Sequence, residues 1–202
     1  MIRHLLLDAD GVLQTIPGGG QVGRAGPYLG ARSAELVDQL WAAEQPALRG
    51  DGDMELALRG ILDRHGIEVD PDELYAELWL SIRTVPAMVD LVRRARAAGY
   101  GVHLGTNQHR QRAAYMRETL GYDDLFDVSC YSCDLGAAKP EVAYFRRAAA
   151  RIGDDPASVL FVDDLAGNVA GARAAGLRAE QWDLESGLPR LVELLADHGV
   201  HV

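Results

Sequence analysis

His4-Leu5-Leu6-Leu7-Asp8-Ala9-Asp10-Gly11-Val12-Leu13 is an apolar run that breaks off in two carboxylates and a glycine. A short run of this kind reads as a strand buried on both faces, and in an open parallel α/β sheet reactive groups gather beyond the carboxyl ends of the strands. Asp8 falls at that place. Ionised beside a second carboxylate, it needs its repulsion offset, and a bound divalent cation does so most simply.

Three later stretches repeat the pattern. Tyr100 to Leu104 reads as a strand ending at Gly105-Thr106-Asn107. A short strand near Val128 to Tyr131 runs into a loop carrying Lys139-Pro140. Val159-Leu160-Phe161-Val162 again ends in two carboxylates, Asp163 and Asp164. Helical segments separate these strands: Pro86 to Ala98, closed by Gly99; Arg110 to Leu120, stopped by Gly121; Glu141 to Ile152; and Asn168 to Ala175. A turn at Tyr122 to Phe126, a strand near Leu177 to Trp182 and a helix from Leu188 to His198 complete the chain. Strands alternating with helices imply right-handed βαβ units and a mostly parallel sheet, an α/β fold. The four sets of polar groups then share one edge of that sheet.

Between the first strand and Val85 the rhythm differs. Gln14 to Gly30, rich in glycine and proline, has loop composition and predicts a flexible hinge or linker. A nucleotide P-loop would need a Gly-Lys-Ser/Thr ending, which is absent. From Ser33 to Ile82 the pattern is helical, with Ser33 as a cap for Ala34 to Trp41, Asp53 for Met54 to His65, and Asp70-Pro71 opening a helix towards Leu80. The expected organisation is an α/β core of residues 1–14 and 84–202, interrupted by a helical cap of residues 15–83. An insertion placed directly after a strand end stands over the site. It offers Trp41, Trp79, Tyr75, His65, Arg59 and Arg83 as contacts, although aromatic residues at helical spacing are more often core.

The bulk properties limit the partners. The chain has 202 residues, 48% of them apolar and 25% charged, as in an ordinary globular domain. Thirty acidic against 20 basic residues give a formal charge of −10, which argues against nucleic acid or an anionic membrane as the main partner. No secretory signal and no run long enough to span a membrane is evident, so a cytoplasmic location is expected. Cys130 and Cys133 lack the further ligands of a zinc site and read as reduced thiols. Nothing in the pattern points to an oligomeric state.

Taken singly, each polar group has a plainer reading. Asp-x-Asp-Gly is often a turn, Thr106-Asn107 a helix cap, Lys139 a solvated side chain, and Asp163-Asp164 a capping pair at a helix start. Together and in this order, Asp8-Ala9-Asp10-Gly11-Val12-Leu13, Leu104-Gly105-Thr106-Asn107, Lys139-Pro140-Glu141 and Phe161-Val162-Asp163-Asp164-Leu165-Ala166-Gly167-Asn168 resemble the four motifs of the haloacid dehalogenase-like hydrolases, mostly magnesium-dependent phosphatases. The resemblance implies a Rossmann-like sheet with the first strand near its centre and a helical cap between the first two motifs.

It also implies roles. Asp8 would be the nucleophile, forming an aspartyl-phosphate, and Asp10 the general acid and base. Thr106, Asn107 and Lys139 would bind the phosphoryl group. Mg2+ would be held by Asp8, Asp10 through its carbonyl, Asp163 and Asp164, with Asp164 favoured as the direct ligand of the last pair. The expected substrate is a small phosphorylated metabolite. A phosphosugar mutase shares the same core, whereas a dehalogenase has no leaving alkoxide to protonate and usually lacks an acid at the Asp10 position. A catalytically silent relative is opposed by the retention of every catalytic residue type.

Overall fold

The computed structural model describes residues 1–202. Five parallel strands form the main sheet: β1 His4–Leu7, β4 Gly101–Thr106, β5 Val128–Tyr131, β6 Val159–Asp163 and β7 Arg178–Gln181, in the order β5-β4-β1-β6-β7. β2 Gln14–Thr15 and β3 Arg83–Thr84 form a separate antiparallel ribbon. β1 is central because it is apolar on both faces. Leu5 and Leu7 join one hydrophobic cluster with Val102, Leu104, Leu160 and Val162, while Leu6 joins the other with Cys130, Val159 and Phe161. All three leucines are fully buried, each stabilising the fold by about 1.5–3 kcal/mol.

The chain runs outward from β1 to β4 and β5, then returns to β6 on the other side of β1 and continues to β7. The order therefore reverses between β1 and β6, which is where open α/β sheets place their ligands. Leu7 is in register with Val162, so Asp8 and Asp163 leave the sheet side by side.

The predicted helices of the core form with small shifts of their ends: Pro86–Ala97, Arg110–Glu118, Val142–Ile152, Ala166–Ala174 and Leu188–Asp197. The turn after Gly121 is a short helix, Tyr122–Leu125. The expectation for Gln14 to Gly30 needs correction. Gln14–Thr15 pairs with Arg83–Thr84, and Gly20–Leu29 is helical in spite of its three glycines and proline. Packing overrides propensity here: Ala25 and Leu29 are buried, and a side chain on Gly23 would sit 2.5 Å from the Gly18 carbonyl.

The remaining insertion helices are Ser33–Ala47, Met54–His65 and Pro71–Tyr75, the last continued by a π-helical turn over Ala76–Leu80. Asp53 and Asp70 cap their helices as expected, whereas Ser33 lies inside its helix and donates to Gly30 O at 2.6 Å. These helices bury a hydrophobic cluster of their own, including Leu36, Leu40, Leu58, Leu74 and Trp79. No helix is long and apolar enough to cross a membrane.

Candidate active site

The end of β1 and the end of β6 meet on one ammonium group. Lys139 Nζ lies 2.7 Å from Asp8 Oδ1 and 2.6 Å from Asp163 Oδ2, and all three side chains are buried. Carboxylate oxygens of Asp8, Asp163 and Asp164 lie within 4.8 Å of one another. Burial pushes the Asp8 carboxyl well up, with repulsion from Asp163 adding to the rise and Lys139 opposing it. Asp164, half-buried, is also raised by burial and by Asp163. Burial disfavours the Lys139 ammonium, but Asp8 and Asp163 outweigh it and hold the group above the ordinary lysine value.

Three carboxylates against one ammonium leave two negative charges, and all the donors are hard oxygens; a divalent cation of the magnesium type fits this set. Asp163 differs from Asp164 in its commitments. Its carboxylate accepts from Lys139, from Asn168 Nδ2 at 2.9 and 3.0 Å, and from Leu165 N at 2.8 Å. Asp164 stands instead against the first loop, where a side chain on Gly11, at φ +79°, would meet Asp164 Oδ2 at 2.7 Å. Glycine is required at that position both by the turn and by the approach.

Thr106 ends β4 with its hydroxyl accepting from Gln108 Nε2 at 2.9 Å. The Asn107 side chain is committed to the third loop: Nδ2 donates to Lys139 O at 2.9 Å and Oδ1 accepts from Lys139 N at 2.8 Å. It therefore fixes the lysine that meets Asp8. The same loop is clamped from behind, since a side chain on Gly171 would lie 2.2 Å from Pro140 O.

Asp10 stands apart from this cluster. Arg112 Nη1 donates to its Oδ2 at 2.7 Å and Nη2 to its Oδ1 at 2.9 Å, with Gln14 Nε2 at 2.8 Å and Gln108 Nε2 at 3.2 Å. Burial opposes ionisation, but Arg112 and the two amides outweigh it and hold the carboxyl at about 2. Arg112 Nε also donates to Trp79 O at 2.8 Å, tying the Asp10 pair to the helical insertion.

Arg112, Gln108 and Gln14 were not singled out from the sequence. The available signal was the i,i+4 spacing of Gln108 and Arg112, which puts both on one side of the helix start, and a glutamine closing an apolar run at Val12-Leu13-Gln14. Gln14 is fully buried and accepts from Tyr122 Oη at 2.7 Å.

A cavity of about 390 Å³ opens between the sheet edge and the insertion, lined by Asp10, Asn107 and Arg112 on one side and by Arg24, Glu44 and Trp79 on the other. Of the six insertion residues considered as contacts, only Trp79 lines it. Tyr75 is buried in the insertion's core, Trp41 is exposed, Arg59 pairs with Asp72, His65 bonds Gln39, and Arg83 is exposed on its strand of the ribbon. Cys130 and Cys133 are buried and unbonded to each other, with burial pushing their thiols up to about 12 and about 11, so neither is a reactive thiolate.

Proteins of known family resemble this chain in sequence and in fold. A "Phosphatase MT3486" of Mycobacterium tuberculosis is 36% identical over 94 residues, 46% of this chain and 42% of that protein. The chain spans about half the length of the curated relatives it matches. Among solved structures, the HAD family enzyme bt-2542 of Bacteroides thetaiotaomicron, in complex with magnesium and inorganic phosphate, superposes with TM-score 0.80 at 20% identity over 95% of this chain and 99% of its own. A predicted HAD-like family hydrolase from Porphyromonas gingivalis gives TM-score 0.80 at 24% identity, covering 96% of this chain and 98% of its own. The model of the family described as "Hydrolase: haloacid dehalogenase-like hydrolase" matches residues 2–176, nearly the whole length over which the sheet and its four loops are built. The chain belongs to the haloacid dehalogenase-like hydrolases.

Proposed function

We propose that this hydrolase is a magnesium-dependent phosphatase that removes the phosphoryl group from a small phosphorylated metabolite through an aspartyl-phosphate on Asp8. The observation that carries the proposal is the buried Asp8 carboxylate at the sheet's reversal point, 2.7 Å from Lys139 and grouped with Asp163 and Asp164. The phosphatase relative and the magnesium and phosphate found with bt-2542 support it.

In this reading Asp8, Asp164 and the Asp10 carbonyl hold the cation, with Asp163 beside them, oriented by Asn168 and Lys139. The cation supplies charge neutralisation for the carboxylates and for the phosphoryl oxygens. Asp8 attacks phosphorus, the bond to the leaving oxygen breaks, and Asp10 gives that oxygen a proton. Water then attacks the phosphorus, Asp10 takes its proton, and the bond to Asp8 breaks to restore the carboxylate. Lys139 and the Thr106 hydroxyl bind phosphoryl oxygens, and Asn107 keeps Lys139 in place. The Asp10 carboxylate resting on Arg112 is ready for the second half of the cycle; for the first half it must turn from Arg112 and carry a proton. An acid at this position is what a phosphatase uses and a dehalogenase does not.

Residues 15–83 act as the cap in this scheme and residues 1–14 with 84–202 as the catalytic core. The cap meets the core through Arg112 and Trp79, through Arg49 Nε to Glu141 Oε1 at 2.8 Å, and through Arg110 Nη2 to Gly50 O at 3.1 Å. Such a closure shields the reacting groups from bulk water and admits small substrates. The test is phosphate release from p-nitrophenyl phosphate. Release should require Mg2+, stop with EDTA and fall by about 10⁴-fold or more in Asp8→Asn; activity surviving either treatment would refute the mechanism.

A further inference from the structure

The catalytic groups account for one wall of the cavity; the opposite wall carries a charge they do not use. Arg24, on the helix Gly20–Leu29, is 5% exposed and lines the cavity facing Asp10 and Trp79. Its guanidinium donates only to backbone carbonyls: Nη2 to Leu78 O at 2.8 Å, Nε to Glu77 O at 3.1 Å and Nη1 to Pro17 O at 3.5 Å. No carboxylate oxygen lies within 4 Å of its nitrogens, in contrast to Arg112 on Asp10. Three carbonyls use part of the five-donor fork, and Glu77 and Asp10 offset its charge only from a distance. A buried cation without a contacting counter-ion is costly, and an arriving anion recovers part of that cost.

The rest of the wall favours such an anion. The other carboxylate lining that side, Glu44, accepts from Trp79 Nε1 at 3.0 Å and lies 3.8 Å from His109 Nε2, and it forms no ion pair with Arg24. Arg112 reaches the same cavity, and when Asp10 turns towards the leaving oxygen Arg112 Nη2 comes free while Nη1 keeps Gln108 Oε1 at 2.7 Å. Two guanidiniums then line the cavity, with Glu44 engaged by Trp79 and Asp10 turned to the leaving oxygen.

We infer that Arg24, joined by Arg112 during turnover, is a second anion subsite, and that the substrate is a phosphomonoester whose leaving group carries a further anionic group, a carboxylate or a second phosphate. The inference rests on the phosphatase reading and adds the substrate class to it. An anion bound at this end also gives Arg112 a new partner as Asp10 departs, which links occupation of the subsite to release of the general acid.

The test compares kcat/KM with Mg2+ for glycerol 3-phosphate, 3-phosphoglycerate and propane-1,3-diol bisphosphate, beside p-nitrophenyl phosphate. The three aliphatic esters differ chiefly in what occupies the remote end: a hydroxyl, a carboxylate or a phosphate. The wild-type protein should prefer at least one of the doubly anionic esters over glycerol 3-phosphate by about 10- to 100-fold, the range of one or two charge-assisted hydrogen bonds; which of the two leads identifies the anion. Arg24→Gln should reduce that ratio to within about threefold of unity, with Arg24→Lys in between. Hydrolysis of p-nitrophenyl phosphate with no preference among the aliphatic esters, or a preference unchanged in Arg24→Gln, would overturn the subsite while leaving the phosphatase reading intact. Absence of any Mg2+-dependent phosphate release from all four would overturn both. The wild-type comparison needs no variant, so it decides the matter even if Arg24→Gln fails to fold.

Discussion

The carboxylate cluster at the sheet edge and the Arg24 guanidinium in the cap-side wall of the cavity are charged in opposite ways. On the core side, Asp8, Asp163 and Asp164 share one ammonium, and the imbalance is negative. On the cap side, the buried Arg24 guanidinium bonds only carbonyls, while Glu44 of the same wall bonds Trp79. Burial magnifies both, because a low-dielectric site cannot spread unpaired charge into water. The difference teaches what each wall is suited to receive: a divalent cation on one, an anionic group on the other, with Asp10 and Arg112 forming a pair that spans them.

Removing the ammonium attacks the core side of this comparison most severely. Lys139→Met should lower kcat/KM for an aryl phosphate by about 10²- to 10³-fold, since it deletes a fixed charge aimed at the phosphoryl group. It should also lower the melting temperature without Mg2+, because Asp8 and Asp163 are left buried without their counter-ion, and added Mg2+ should recover much of the loss. An equal melting temperature with and without the metal would show that the two negative charges are not what the cation answers.

A milder change sharpens the division between Asp163 and Asp164. Asn168→Ala removes two hydrogen bonds that fix Asp163 and leaves Asp164 untouched. The expected outcome is a 10- to 100-fold rise in the Mg2+ concentration giving half-maximal activity, the usual size of an outer-sphere effect (about 1–3 kcal/mol). A titration of activity against Mg2+ reads it directly.

The smallest expected effect lies where the walls join. His109 is fully buried against Tyr75 and Trp79 of the cap, with its Nε2 unpartnered; burial, then Arg112, lowers its pKa to about 4, while Glu44, Asp53 and Gln111 also face it. The unfolded imidazole titrates near 6.5, so between about pH 6.5 and 4 the unfolded chain binds the extra proton. Stability should therefore be lost as pH falls through that window, and His109→Gln should flatten the loss by roughly 1–3 kcal/mol in denaturant titrations at pH 7 and pH 4.5. An unchanged slope would mean that other groups carry it.

How much of this could be read from the chain follows from the range of the interactions. Strand ends announce themselves locally, since an apolar run ending in Asp or Thr is visible in a few residues, and the parallel topology then brings Asp8, Thr106, Lys139 and Asp163 to one edge. The cap's glycine-rich first helix was not legible. Gly20–Leu29 is held by burial of Ala25 and Leu29 and by Arg24 on the carbonyls of residues 77 and 78, contacts that composition does not register. Asp10 was found, but its resting partner was not: Arg112 lies 102 positions away, on a helix whose other arginines, Arg110 and Arg117, bond Gly50 O and Asp134 instead. Nor could spacing show that Asn107 serves Lys139, because a side-chain amide gives no sign of which backbone it will bond.

The central claim is that phosphate leaves its ester by way of Asp8. Acid quenching of the wild-type protein during turnover of p-nitrophenyl phosphate with Mg2+, followed by peptide mapping, tests it most directly. The expected result is an acid-stable, hydroxylamine-labile phosphoryl group on the peptide that contains Asp8, absent from Asp8→Asn. Steady phosphate release with no phosphoryl group on the protein, or with the group on another residue, would contradict it.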